Sequence, residues 1–124
     1  MKKDINKKVI IGFSIGDYNG IGPEILLKSF SSTDLLDYCI PIIFCDKQIL
    51  DFYAEKFRIN IKIKKIKNLK QSFESDCLNT FSENNKTFKI TPGYIDKTAG
   101  IYAINSLNKS SEALINKNID SIVT

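Results

Sequence analysis

A glycine-rich run near the start of the chain has the residue types of a site for an anion or a nucleotide. Residues 16–22, which we call the glycine loop, follow the apolar segment 9–13, and Pro23 and Glu24 come directly after them. Gly20 and Gly22 permit positive φ and a close approach to the backbone, while Pro23 has the φ of a first helical turn. The run therefore predicts a strand, a loop and a helix that begins at Pro23, with amides exposed to bind phosphate or carboxylate.

The polar residues of this run also have purely structural explanations. Neither G-x-G-x-x-G nor G-x-x-x-x-G-K-[ST] occurs here, so the standard nucleotide fingerprints do not apply. Asp17 and Asn19 can hydrogen-bond to their own backbone within a turn. Glu24 is expected to favour the helix dipole rather than to act as a catalytic base. From the residues alone, a tight connection and a ligand site both remain open.

The first half of the chain must position this loop with alternating strands and helices. The β-branched residues from Val9 onward predict a strand buried on both faces. Residues 39–45 predict a second buried strand, and Asp46 is a predicted N-cap for a helix that runs to about Phe57. The helix after Pro23 is expected to bury Ile25, Leu26, Leu27 and Phe30, and the helix after Asp46 to bury Ile49, Leu50, Phe52, Tyr53 and Phe57.

The second half continues the alternation with weaker signals. Residues 59–64 alternate apolar and polar side chains, which predicts a half-exposed strand near a sheet edge. Residues 68–86 are expected to be a loop with short strands, and residues 88–90 a short strand before a turn at Pro92. Asp96 is predicted to cap a helix that runs to about residue 116, with an inner face formed by Ala99, Ala103, Leu107 and Leu114. Residues 119–124 predict a further buried strand.

Strands that alternate with helices imply parallel pairing through right-handed crossovers. We therefore predict an α/β fold with a mostly parallel sheet and helices on both faces. Ligands in such sheets bind at the carboxyl ends of the strands. The glycine loop and Thr124 both follow predicted strands, so they are expected to face one cleft.

Composition bounds the possible functions. The chain has 124 residues, 43% of them hydrophobic and 26% charged, which fits one modest core. It has no apolar run of membrane-spanning length and no secretory leader pattern, which predicts a cytoplasmic location. Three cysteines without C-x-x-C spacing indicate neither a disulfide framework nor a zinc site, and a nucleophilic cysteine would lack a histidine partner. They are Cys39, Cys45 and Cys77.

The formal net charge of +4 raises the question of nucleic-acid binding. The aromatic residues are scattered among apolar positions instead of alternating with the lysines, and lysines on an edge strand protect against aggregation. No nucleic-acid partner is therefore expected. The lysines in question cluster around the alternating strand and are Lys62, Lys64, Lys65, Lys67 and Lys70.

The full string from Gly16 to Glu24 resembles the N-terminal motif of the 4-hydroxythreonine-4-phosphate dehydrogenase family, in which a strand leads into a G-D-P-x-G-I-G-P-E type of loop. Residues 90–93, 98–103 and 119–124 are similar, in the same order, to the family's T-P-G, A-G-x-x-A and D-x-[IV]-V-T segments. The loop is also similar to the shorter G-D-G-I-G-P-E loop of the isocitrate and isopropylmalate dehydrogenases, whose fold the family shares. Tyr18 stands where the family usually has proline, which costs the loop some rigidity.

The resemblance implies an activity. Family members oxidise the C3 hydroxyl of 4-phosphooxy-L-threonine with NAD or NADP, and the product loses carbon dioxide to give 3-amino-2-oxopropyl phosphate for pyridoxal 5'-phosphate synthesis. It also implies a divalent metal ion and a homodimer with the active site near the subunit interface. The family binds its metal through histidines, and this chain contains none. Residues 1–124 are therefore expected to be the N-terminal part of a single α/β dehydrogenase subunit, inactive alone, with the metal ligands elsewhere. An inactive remnant and a non-catalytic phosphate- or nucleotide-binding module are the alternatives.

Five residues of the glycine loop are the candidate cofactor contacts within this chain. No catalytic residue and no metal ligand is assigned in residues 1–124. Thr91, Lys97 and Thr124 are weaker candidates, because each also has an ordinary role in a turn, at the surface or at a strand end. The five candidates are Gly16, Asp17, Asn19, Gly20 and Gly22.

Overall fold

The computed structural model describes residues 8–70, 72–83 and 89–124. These residues form an α/β fold whose strands make one parallel sheet in the order β3-β4-β2-β1-β5, which confirms the predicted fold class. The elements are β1 (Val9–Ser14), α1 (Gly22–Ser31), a short 3-10 helix (Leu35–Asp37), β2 (Cys39–Phe44), α2 (Lys47–Lys56), β3 (Ile63–Lys65), β4 (Leu78–Thr80), α3 (Lys97–Ile115) and β5 (Ser121–Val123).

Strand β1 lies between β2 and β5 and carries the glycine loop at its carboxyl end. Its register with β2 runs from Val9 opposite Cys39 to Ser14 opposite Phe44, and Phe13 lies opposite Val123 of β5. Since all three strands are parallel, their carboxyl ends meet at one edge of the sheet. This pairing brings the glycine loop beside the end of β5.

The sheet has a hydrophobic cluster on each face, so the prediction of helices on both faces is confirmed. Successive residues of a strand point to opposite faces. Ile43 packs with α1 and α2, whereas Ile42 and Phe44 pack with the last turns of α3 and with Ile119. Gly12 belongs to this second face, where an added Cβ would lie 2.5 Å from the Ile119 side chain. Glycine inside β1 thus allows the segment after α3 to pack closely on the sheet.

The inner face of α3 differs from the prediction. Asp96 caps this helix as predicted, since its side chain accepts a hydrogen bond from the Thr98 amide. Leu107 was expected to be buried, but 41% of it is exposed. Ala99 is buried as predicted, and Ala103 and Leu114 are partly buried. Buried hydroxyls share the face with them, and they can do so because each finds a hydrogen-bond partner. The buried residues of α3 are Ala99, Tyr102, Ser106, Ser110 and Ala113.

Two predictions about α1 and α2 also need correction. Leu27 and Phe30 are buried as predicted, but Ile25 is 53% exposed because its side of α1 faces a cleft rather than the sheet. Asp46 precedes α2 as predicted, yet its side chain does not cap the helix. Its carboxylate instead accepts a hydrogen bond from the Tyr102 hydroxyl.

The strand predictions hold better for position than for extent. β3 lies at an edge of the sheet as predicted, but it begins at Ile63. Val9 and β5 are more exposed than predicted, because Val9 opens its strand and β5 is the last strand of the sheet in the described residues. Residue 71 and residues 84–88 of the predicted loop and strand lie outside the described residues, and residues 89–90 are not in a strand. None of the helices in the described segments has the length and apolar character needed to cross a bilayer.

Candidate functional site

A cleft of about 580 Å³ opens at the carboxyl edge of the sheet, between the glycine loop, α1 and the end of β5. The sequence predicted that the glycine loop and Thr124 share a cleft, and both line this one. Four of the five candidate cofactor contacts also line it, namely Gly16, Asp17, Gly20 and Gly22. The remaining lining residues are Phe13, Ser14, Ile15, Ile21, Ile25, Leu26, Ser29, Phe30, Leu35 and Val123.

The amino terminus of α1 supplies the hydrogen-bond donors of this cleft. The helix begins at Gly22, one residue before the predicted start, with Pro23 in its first turn and Ile21 as N-cap. Its first backbone hydrogen bond runs from the Ile25 amide to the Ile21 carbonyl. Amides before that bond have no acceptor within the helix, and no side chain caps this terminus in the part of the chain that the structure describes. The tip of α1 can therefore donate to a ligand in the cleft.

The loop glycines are needed for reasons partly different from those predicted. Gly16 has a φ of 70°, a left-handed conformation that favours glycine. Gly20 and Gly22, which could have adopted a positive φ, do not have one. Their importance lies in close approach, because a Cβ on Gly22 would lie 2.9 Å from the Ile15 carbonyl oxygen and one on Gly20 would lie 3.3 Å from the Asp17 carbonyl oxygen.

Asp17 determines the charge of the cleft. Its carboxylate accepts a hydrogen bond from the Asn19 amide at 2.8 Å, and its carbonyl accepts one from the Gly20 amide at 3.0 Å. Among the described residues that line the cleft, Asp17 alone is charged. An anionic group would therefore be held by helix amides without help from a cationic side chain, while hydroxyl and amide groups of a ligand could donate to Asp17.

Asn19, the fifth candidate, does not line the cleft. Its side chain is buried and contacts the turn formed by residues 91–94. The Oδ1 atom accepts from the Thr91 amide at 2.8 Å, and Nδ2 donates to the Tyr94 carbonyl at 3.4 Å. The Asn19 carbonyl also accepts from the Gly93 amide at 2.7 Å. Asn19 thus joins the glycine loop to the T-P-G segment, the second motif of the sequence resemblance.

Tyr18 stands at the family's usual proline position. It attaches the glycine loop to α2 and α3 through buried contacts. It is only 2% exposed, and its carbonyl accepts a hydrogen bond from the Tyr53 hydroxyl at 2.6 Å. Its ring meets the Tyr102 ring edge to face, with centroids 5.3 Å apart. Burial raises the pKa of both Tyr53 and Tyr102, so their hydroxyls stay protonated to a higher pH than an exposed tyrosine would. These contacts restrain the loop where the sequence predicted a loss of rigidity.

Ser106 of α3 is a site-supporting residue that the sequence analysis missed. Its hydroxyl donates to the Phe44 carbonyl at 2.6 Å and accepts from the Ile15 amide at 2.9 Å. It therefore ties together the ends of β1 and β2 just before the glycine loop. The available signal was the helical spacing of the hydroxyl residues at positions 102, 106 and 110.

The weaker candidates have ordinary surroundings. Lys97 is exposed at the first residue of α3, and Thr91 belongs to the turn already described. Glu24 forms an ion pair with Lys28 one helical turn away, in keeping with a structural role at the helix start. Thr124 is the one of these residues that lines the cleft.

The described residues do not supply a metal centre. They contain no group of three or more histidine, cysteine, aspartate or glutamate side chains that could hold a metal ion. The three cysteines are free and buried. Burial raises the pKa of the Cys45 thiol well above its ordinary value, which disfavours the thiolate that a metal or a nucleophilic reaction would need.

Comparison with known proteins relates this arrangement to a group of dehydrogenases. No protein-family model matches the chain. A Clostridium botulinum protein named "Putative D-threonate 4-phosphate dehydrogenase" is 30% identical over 122 residues, which cover 97% of this chain and 36% of the relative. The 4-hydroxythreonine-4-phosphate dehydrogenase of Bacteroides thetaiotaomicron is 28% identical over 117 residues, or 94% of this chain and 32% of the relative.

A solved structure shows the same fold. The crystal structure of a 4-hydroxythreonine-4-phosphate dehydrogenase from Burkholderia phymatum superposes with a TM-score of 0.83 at 22% identity, over 94% of this chain and 36% of that one. The chain thus spans about a third of the length of the relatives it matches. These similarities confirm the resemblance to the 4-hydroxythreonine-4-phosphate dehydrogenase family that the glycine loop predicted.

Proposed function

We propose that these residues form part of a dehydrogenase subunit that oxidises 4-phosphooxy-L-threonine with NAD or NADP. Carbon C3 of the substrate would transfer a hydride to the nicotinamide ring, and the hydroxyl on C3 would lose its proton. The resulting 3-oxo acid would release carbon dioxide and give 3-amino-2-oxopropyl phosphate for pyridoxal 5'-phosphate synthesis. The observation that carries this proposal is the cleft at the carboxyl edge of the sheet, lined by the glycine loop and the tip of α1.

The chain's own residues would bind and orient the cofactor in this cleft. The apolar side chains of its wall suit a planar ring, and the amides at the tip of α1 suit a phosphate or a carboxamide oxygen. Asp17 can accept hydrogen bonds from ligand hydroxyls. Gly16, Gly20 and Gly22 would let the ligand approach the backbone closely. Asn19 would support them through the 91–94 turn.

The family resemblance also suggests a divalent metal ion and a homodimer. A metal ion would polarise the substrate hydroxyl and stabilise the enolate formed on decarboxylation. The described residues offer no cluster to hold it, so every role assigned here belongs to side chains and amides of the chain itself.

Light scattering of the purified protein would test the homodimer, since a monomeric mass at micromolar concentration would contradict it.

An enzyme assay tests the proposal directly. The coding sequence is read past Thr124, and the encoded protein is assayed for NADH or NADPH formation with 4-phosphooxy-L-threonine and with D-threonate 4-phosphate. We expect turnover with 4-phosphooxy-L-threonine. Preference for D-threonate 4-phosphate would instead assign that compound as the substrate, in line with the name of the Clostridium relative. Reduction of neither cofactor with either compound would contradict the proposal.

A pair of valine substitutions tests the role of the glycine loop. In Gly20→Val the new side chain would crowd the Asp17 carbonyl oxygen, 3.3 Å from the Cβ position. Gly100→Val is the matched control, because a Cβ on Gly100 meets no atom within 4 Å. We expect the cofactor KM to rise about tenfold in Gly20→Val, equivalent to about 1.4 kcal/mol, and to stay unchanged in Gly100→Val. Unchanged cofactor affinity and turnover in Gly20→Val would exclude the loop from the site.

A non-catalytic nucleotide-binding module is the second candidate function. It is favoured by the donor amides at the tip of α1, which open onto the cleft. Thermal stabilisation by NAD but not by inorganic phosphate, without turnover of either substrate, would support this function over the enzyme.

A further inference from the structure

Asn19 is a polar residue that is almost fully buried, at 3% exposure, in the middle of the glycine loop. A buried amide is tolerated when its polar atoms are hydrogen-bonded. Here the side-chain oxygen, the side-chain nitrogen and the main-chain carbonyl are all directed at the 91–94 turn. Asn19 therefore makes its contacts with a segment 72 residues away in the sequence.

The partner turn is closed by a hydrogen bond of its own. The Tyr94 amide donates to the Thr91 carbonyl at 3.0 Å, and Gly93 has a φ of 80°. Proline followed by a glycine with positive φ is the sequence of a type II turn, which fixes both central residues. Its next element is α3, whose N-cap Asp96 follows two residues after Tyr94. The turn thus connects Asn19 to α3, the longest helix in the described residues.

The other side of Asn19 leads directly to the cleft. Its main-chain amide binds the Asp17 carboxylate, and the next amide, that of Gly20, binds the Asp17 carbonyl. Gly20, Ile21 and Gly22 then line the cleft and begin α1. The position of Asn19 therefore sets the geometry of residues 17–20 and, through them, the direction of the donor amides at the tip of α1.

From these contacts we infer that Asn19 is a positioning residue that holds the glycine loop in its cofactor-binding orientation by bonding it to the 91–94 turn. This role rests on the proposed dehydrogenase function, because the oriented amides are the ones that would contact the cofactor. Asn19 itself does not line the cleft, so its effect must pass through the loop.

Steady-state kinetics on the full-length protein test the functional part. Asn19→Ala removes both side-chain hydrogen bonds, Asn19→Asp keeps an acceptor oxygen for the Thr91 amide, and Asn60→Ala is the matched control at an exposed position. We expect Asn19→Ala to raise the cofactor KM about tenfold with kcat at saturating cofactor within about twofold, since cofactor binding then restores the loop. Asn19→Asp should raise KM less, and Asn60→Ala should leave both constants unchanged. A KM in Asn19→Ala equal to that of the wild type would overturn the inference, and so would a fall in kcat alone.

Amide hydrogen exchange of the same proteins tests the positioning without relying on activity. If Asn19 positions the loop, Asn19→Ala will speed exchange at least tenfold at Thr91, Gly93 and Gly20 alike. Faster exchange confined to Thr91, which simply loses its acceptor, would overturn the inference. A wild-type protein without dehydrogenase activity would reject the proposed function, and the exchange result would still decide the role of Asn19. If Asn19→Ala does not fold, Asn19→Ser replaces it, since its short hydroxyl cannot reach the turn.

Discussion

Replacing Tyr53 with phenylalanine removes one atom and tests how firmly the glycine loop is anchored. The Tyr53 hydroxyl donates to the Tyr18 carbonyl at 2.6 Å, and both residues are 2% exposed. An intramolecular hydrogen bond contributes about 1 kcal/mol net, and removing the donor from a buried acceptor adds part of the acceptor's desolvation cost. We therefore expect Tyr53→Phe to lower the free energy of unfolding by about 1–2 kcal/mol.

Tyr38→Phe provides the matched control for this measurement. Tyr38 is 66% exposed, so the same deletion of a hydroxyl should change stability by less than about 0.5 kcal/mol. Urea unfolding of the wild type and both variants, followed by far-UV circular dichroism, measures the difference, and the m-value should not change. Equal stability of Tyr53→Phe and Tyr38→Phe would refute the anchor.

The pH dependence of this difference has a definite sign. Burial raises the pKa of Tyr53 above its ordinary value of 10.0, because the charged phenolate is disfavoured in the core. A group with a raised folded-state pKa contributes its stabilisation below the unfolded-state pKa and loses it as the pH rises through the folded value. The stability gap between wild type and Tyr53→Phe should therefore be constant below pH 10 and narrow above it. A gap that widens above pH 10 would contradict the assigned cause.

Four further substitutions have predictable effects on urea unfolding. Gly22→Ala places a Cβ 2.9 Å from the Ile15 carbonyl oxygen and should lower the free energy of unfolding by about 1–3 kcal/mol. Gly100→Ala adds a Cβ in open space on α3 and should raise the free energy of unfolding by about 0.5–1 kcal/mol. Changes of the same sign in both variants would contradict this account. Gly93→Ala forces a positive φ on alanine without a clash and should cost about 1–2 kcal/mol, so a neutral result would exclude the strained turn. Burial raises the pKa of the Cys77 thiol to about 11, so the contribution of the protonated thiol to folding stability is complete below pH 9 and is lost as the pH rises through 11. The free energy of unfolding of Cys77→Ala should therefore fall less steeply with pH over that range. A pH profile identical to that of the wild type would show that the thiol is not the source of the loss.

Local signals in the sequence predicted the elements that frame the site. Pro23 placed the start of α1 within one residue, because its fixed φ and missing N–H suit only the first turn of a helix. Asp96 marked the start of α3, and its side chain bonds the Thr98 amide as a capping residue should. Both signals act over a few residues, so they can be recognised without the tertiary structure.

Structural features that depend on partners distant in the sequence could not be predicted from local signals. Ser106 and Leu107 are neighbours, and apolar periodicity selected the leucine for the inner face of α3 although the serine is buried. Ser106 is buried because the Phe44 carbonyl of β2 and the Ile15 amide just after β1 lie opposite it, which only the assembled sheet reveals. Ile25 fits the apolar stripe of α1, yet it faces the cleft, whose existence depends on where β5 pairs.

Three of the long-range hydrogen-bonded contacts that the sequence did not reveal converge on the glycine loop. Ser106 holds the Ile15 amide at the entrance to the loop, Tyr53 holds the carbonyl of Tyr18, and Asn19 bonds the 91–94 turn. Each of these bonds joins the loop to a different element, so no single rigid-body motion of the loop would keep all three. Ordering a flexible segment on binding costs free energy that lowers affinity. A loop fixed from three sides avoids this cost, which explains why buried polar residues around an open cleft can serve ligand binding without touching the ligand.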